Sequence, residues 1–126
     1  MIQLKRAYEA ASPSDGTRFL VERLWPRGVK KTALRIDGWL KEVAPSTALR
    51  QWFSHDPKKW KGFQQRYRRE LSANPDAWRP LLEAAKHGTV TIVYSSHDNT
   101  HNNAVALKKY LDEKLAGNSG AHRSAA

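Results

Sequence analysis

Two spacings of hydrophobic residues organise this chain, one typical of strands and one of helices, and the places where they switch mark its elements. Residues 2–7 read as a short strand. Ser12-Pro13-Ser14-Asp15-Gly16 follows as a loop: proline presets φ, glycine opens positive φ, and the Ser and Asp side chains bond nearby backbone. Residues 18–24 predict a second strand, ended by Pro26 and Gly28. Only about ten residues separate the two strands, too few for an ordinary helical crossover, so a hairpin and a loop crossover both fit.

The middle of the chain reads as helical. Ile36, Trp39, Leu40 and Val43 fall at i, i+3, i+4 and i+7, the spacing of one helix face. Pro45 breaks that segment, and Ser46 is placed to cap a short helix carrying Leu49, Trp52 and Phe53. Asp56-Pro57 and Asn74-Pro75 each set a capping side chain before a proline at the first helical position. The first opens a helix with Trp60, Phe63, Tyr67 and Leu71 on one face; the second runs through Leu81, Leu82 and Ala85 and stops at Gly88. Residues 90–94 form a nearly continuous β-branched run, as in a strand buried on both faces. A polar loop over residues 95–100 leads into a terminal amphipathic helix marked by Ala104, Leu107, Leu111 and Leu115. Residues 116–126 are small and lack apolar period, which predicts a flexible C-terminal tail. The expected fold is a single α/β domain over residues 1–115, a small, largely parallel sheet flanked by several helices.

Composition narrows the chemistry. At 126 residues the chain suits one domain, and 40% hydrophobic with 27% charged residues is a globular balance. With no cysteine, disulfides, thiolate metal sites and cysteine nucleophiles are excluded. No apolar run approaches the ~20 residues of a membrane span, and the first residues lack the apolar core of a signal peptide, so a cytoplasmic protein without membrane contact is expected. The net charge is +10, divided as +5, +4 and +1 among residues 1–36, 37–88 and 89–126. The excess belongs to the body of the chain, and its field attracts nucleic acid or other polyanions.

Two loops and one helix are candidates for that contact. Arg23, Trp25 and Arg27 lie at or just beyond the end of the second strand, where ligands of open α/β sheets collect; guanidinium forks there suit phosphate or carboxylate, and Trp25 would wall the site. A solvated basic turn over a core tryptophan has the same composition. Ser95, Thr100 and Asn102 stand in the turn from a buried strand into a helix, where helix-start amides and side-chain donors can hold an anion. Helix capping by Asn99 or Thr100 needs the same residue types. Along the helix opened by Pro57, Lys58, Lys61, Arg68 and Arg69 offer a surface for nucleic-acid phosphates, while the aromatic residues of that helix suit the core.

Asp98 and His101 are the candidates for proton transfer if the chain is an enzyme. His97 and His101 invite a metal reading, but they straddle a loop–helix boundary with no third ligand indicated. No metal and no cofactor is expected.

Arg23-Leu24-Trp25-Pro26-Arg27-Gly28, followed by Trp39-Leu40-Lys41-Glu42-Val43-Ala44-Pro45-Ser46, resembles the YeaO-like family of small bacterial proteins, domain of unknown function 488. The resemblance continues through Leu49-Arg50, Trp52-Phe53, Phe63, Tyr67 and Glu70-Leu71 and closes with Tyr94-Ser95 and His101-Asn102-Asn103-Ala104-Val105, spanning residues 1–115. It implies an α/β fold and no established activity. More distant branches of that family carry a Cys and a Cys-His-Arg turn that suggested thiol chemistry or an anion site; a chain without cysteine cannot inherit the thiol chemistry. His97 stands where a Lys or Arg is expected, while Asp98 and Asn102 match.

The expected function is binding of an anion, either nucleic acid or a nucleotide phosphate. The alternatives are a small cysteine-independent enzyme acting on a phosphorylated or carboxylated metabolite and a scaffold for an acidic protein partner.

Overall fold

A computed structural model describes the backbone of residues 1–125 and the side chains of residues 1–117. Four parallel strands form one sheet in the order β1-β4-β2-β3: β1 (Ile2–Arg6), β2 (Thr17–Leu20), β3 (Gly38–Trp39) and β4 (Val90–Tyr94). Five helices accompany it: α1 (Lys31–Leu34), α2 (Thr47–Phe53), α3 (Trp60–Ala73), α4 (Pro75–His87) and α5 (Asn103–Ala125). The expected tail falls within α5 and residue 126; its side chains beyond Gly117 lie outside the described residues. No helix among the described residues is long and apolar enough to cross a membrane.

β4 is buried at every position because it lies inside the sheet with both faces covered. On one face Ile2, Val90, Ile92 and Tyr94 pack with Phe63, Leu81, Leu107 and Leu111 of the long helices, the main core. On the other, Leu20 and Val93 meet Ala7, Leu34, Trp25 and Trp39, a smaller cluster roofed by loops and α1. The two faces thus have different roofs. That second roof contains the β1–β2 connection, which is a loop crossover passing β4 rather than a hairpin. Lys5 and Arg18 both reach Asp15 in this crossover, and Thr91 Oγ1 donates to the Asp15 carbonyl at 2.7 Å.

The predicted helix over residues 36–43 is corrected to β3 and a 3₁₀ turn over Lys41–Val43. Backbone bonds from Asp37 N to Arg18 O (2.7 Å) and from Leu40 N to Leu20 O (2.8 Å) extend the ladder with β2. Ile36 and Trp39 join the smaller cluster, whereas Leu40 and Val43 join the main core. Residues that share a helix face in the sequence pattern therefore divide between the two sides of a sheet. The second strand is also shorter than predicted, ending at Leu20 before the chain turns through Glu22 and Arg23.

Candidate functional site

Parallel register sets the carboxyl ends of β2 and β4 side by side, with Leu20 opposite Val93. Beyond those ends, Val21 N still donates to Val93 O, and Ser95 N donates to Glu22 Oε1 at 3.1 Å. Asn103 Nδ2 donates to Val21 O at 3.0 Å, tying the start of α5 to the same edge. Over these joints opens a cavity of about 270 Å³. Glu22, Arg23 and Ser95 line it from the sheet, and Arg50, Phe53 and His55 from α2 and the turn after it.

Each charged wall has a local cause. Ser46 caps α2 through Leu49 N, which starts the helix that carries Arg50. Glu70 of α3 holds that cap in place, accepting from Ser46 N at 2.8 Å and from Ser46 Oγ at 2.5 Å. Arg23 folds across the same segment, Nε to Pro45 O at 3.1 Å and Nη2 to Ala44 O at 3.3 Å. Much of its donor fork is therefore committed to backbone. Glu22 is half-buried, and burial pushes its carboxyl above the usual glutamate value despite the Ser95 amide and the nearby Arg50 charge.

The turn after β4 organises itself. Asp98 Oδ1 accepts from Thr100 N and His101 N, both at 2.9 Å, and from Thr100 Oγ1 at 3.0 Å. The two backbone amides foremost hold its carboxyl down at about 2. An aspartate so engaged is an ionised turn-former. Asn102 is the residue that caps α5, accepting from Val105 N at 2.9 Å while its amide donates to Asp98 O; capping by Asn99 or Thr100 is replaced by this bond. His101 sets its ring edge-on to Trp60 at 5.3 Å, and its Nδ1 lies 3.2 Å from Asp98 Oδ2.

The structure brings Arg23, Ser95, His101 and Asn102 to the cavity and leaves Trp25, Arg27, Asp98 and Thr100 off its lining. Trp25 instead stands edge-on to Trp39 in the smaller cluster and donates to Val29 O. Arg27 is exposed, and its carbonyl accepts from Tyr8 Oη at 3.2 Å. Among the described residues no group of three or more His, Asp or Glu is placed to hold a metal ion.

On α3 and the turn before it, Lys58, Lys61 and Arg69 are exposed, while Arg68 pairs with Glu113 at 2.5 Å and lies over Tyr110. Phe63 and Tyr67 are core, as their spacing predicts. Glu22, His55 and Ser96 line the cavity without having been candidates, and Arg50 entered only as part of the family resemblance. The one available signal was a lone glutamate between an apolar strand and a basic turn.

A single α/β domain with a parallel four-stranded sheet and a charged cavity past its strand ends is the class these features define. The chain belongs to the DUF488 family: the description "Inactive DUF488-N3 subclade" matches residues 1–126. The Uncharacterized protein YeaO of Escherichia coli is 43% identical over 110 residues, covering 87% of this chain and 96% of that protein. The Uncharacterized protein Mb3100c of Mycobacterium bovis is 35% identical over 111 residues, covering 88% and 93%. No solved structure matches the chain significantly.

Proposed function

We propose that this protein is a binding domain for a small molecule bearing a phosphate or carboxylate group, received in the cavity past β2 and β4. The observation that carries the reading is Arg50: it is exposed, it lines that cavity, and among the described residues its guanidinium has no hydrogen-bond or ion-pair partner. A guanidinium presents paired donors that match the oxygens of either anion. Ser95 lines the same cavity with its hydroxyl turned to the Glu22 carboxylate, and the Phe53 and Phe63 rings supply an apolar wall. A volume of about 270 Å³ suits a metabolite-sized ligand better than a strand of nucleic acid.

Binding without turnover is the reading favoured, because the matching subclade is described as inactive and Asp98 is committed to its own turn. Titration of the whole chain with inorganic phosphate, followed by amide chemical shifts, tests it. Shifts centred on Ser95, Asn103 and Arg50, weakened about tenfold or more in Arg50→Met, are expected. Shifts spread over α3 with the cavity silent would overturn it.

A further inference from the structure

Glu22 is the sole acidic residue lining a cavity that also receives Arg23 and Arg50. It makes no ion pair with either. Its main chain is pinned by Trp39 Nε1, which donates to Glu22 O, and its side chain by Ser95, whose N donates to Oε1 at 3.1 Å and whose hydroxyl also approaches the carboxylate. Among the described residues Oε2 has no hydrogen-bond partner, although it belongs to a half-buried side chain on the wall of the cavity. Arg23, the nearest residue in sequence, spends its fork on the Ala44 and Pro45 carbonyls. Glu22 and Arg50 thus line the same small volume without forming an ion pair.

A ligand that is only an anion engages one of the two charges that line this volume. It would gain the exposed Arg50 but sit near the half-buried Glu22 charge, and that repulsion offsets part of the attraction. A ligand that is only a cation has the reverse problem. Resting on the binding reading above, we propose that the cavity selects a short zwitterion, a molecule joining a phosphate or carboxylate to an ammonium group, with the anionic end on Arg50 and the ammonium on Glu22 Oε2. The apolar wall of Phe53 and Phe63 accommodates the carbon chain between the two charges.

The test uses matched probes that differ by the ammonium group alone: phosphoethanolamine against ethyl phosphate, titrated into the whole chain by calorimetry and amide shifts. Phosphoethanolamine is expected to bind at least tenfold tighter. Glu22→Gln keeps an acceptor for Ser95 N but removes the charge; it should weaken phosphoethanolamine, strengthen ethyl phosphate and so close the gap. Arg50→Met should weaken both probes. Equal affinity for the two probes, both sensitive to Arg50→Met, would overturn the zwitterion and leave the anion cavity standing. Absence of cavity shifts with either probe would overturn both.

Discussion

Asp15 and Asp98 both hold their carboxyls near 2, and the difference in how they do so decides what each is worth. Burial pushes Asp15 upward, but the Ser12 amide, Lys5 and Arg18 together outweigh it. Because the folded value lies below the ordinary 3.8, the stabilisation is present in full above about pH 3.8 and lost as pH falls through about 2. Asp98 adds to the same window. Denaturant titration should therefore show stability falling steeply across that interval. Asp15→Asn, which leaves the buried Arg18 guanidinium its bonds to Leu34 O but no counter-charge from Asp15, should cost about 3 kcal/mol near neutral pH and flatten the acid limb. Glu22 has the opposite sign: its raised carboxyl makes the ionised form a burden at neutral pH, relieved as pH falls toward 4.5. Glu22→Gln should then raise the unfolding midpoint at neutral pH, with the difference from wild type vanishing in mild acid. Gly16, at φ 64°, leaves no room for a side chain, since a Cβ would sit 2.1 Å from Thr89 O. Gly16→Ala should cost of order 1–3 kcal/mol by the same titration.

Among the elements, α2 is held at its start by chemistry that the sequence displays only in part. Ser46 reads as a cap from its place after Pro45, but its second partner, Glu70, is 24 residues away and invisible to local pattern. Ser46→Ala removes the bond to Leu49 N and one bond to Glu70, and should destabilise by about 1–2 kcal/mol. A double-mutant cycle with Glu70→Ala should give a coupling of roughly 0.5–3 kcal/mol; strict additivity would show the α2–α3 tie to be idle. The elements that were legible share a cause. β4, α3, α4 and α5 satisfy their own backbone or lie deep enough for their apolar period to report one environment. Residues 36–43 do not, because β3 is only two residues long and its ladder with β2 is a tertiary choice. Gly38, where a Cβ would lie 2.9 Å from the Phe19 ring, was the local sign against a helix. The site was half legible for the same reason. Arg23, Ser95 and Asn102 follow strand ends that the pattern reveals, whereas Arg50 and His55 arrive from α2 and its turn by packing alone.

Across the whole molecule the charge of +10 is less available than its size suggests. Lys5 and Arg18 are spent on Asp15, Arg6 on Ser96 O, and Arg23 on the Ala44 and Pro45 carbonyls. Arg68, Arg79, Lys86 and Lys108 pair with acids, while Lys59 and Arg66 lie over the Trp52 ring. Lys58, Lys61 and Arg69 remain exposed on or beside α3, and the buried rings of Phe63 and Tyr67 offer bases no stacking platform there. Attraction to nucleic acid through this surface should therefore be electrostatic and indifferent to sequence. Its dissociation constant should lie at roughly 10⁻⁴ to 10⁻⁶ M near physiological salt. Replacing Lys58, Lys61 and Arg69 together by Gln should lower the log–log salt slope on duplex DNA by about 2.7, one increment for each lost phosphate contact. Fluorescence anisotropy with single strands, duplexes and structured RNA of mixed sequence checks this. Binding far tighter than that range for any one of them, erased by the triple substitution, would make α3 a dedicated nucleic-acid surface and move the function from the cavity to the helix.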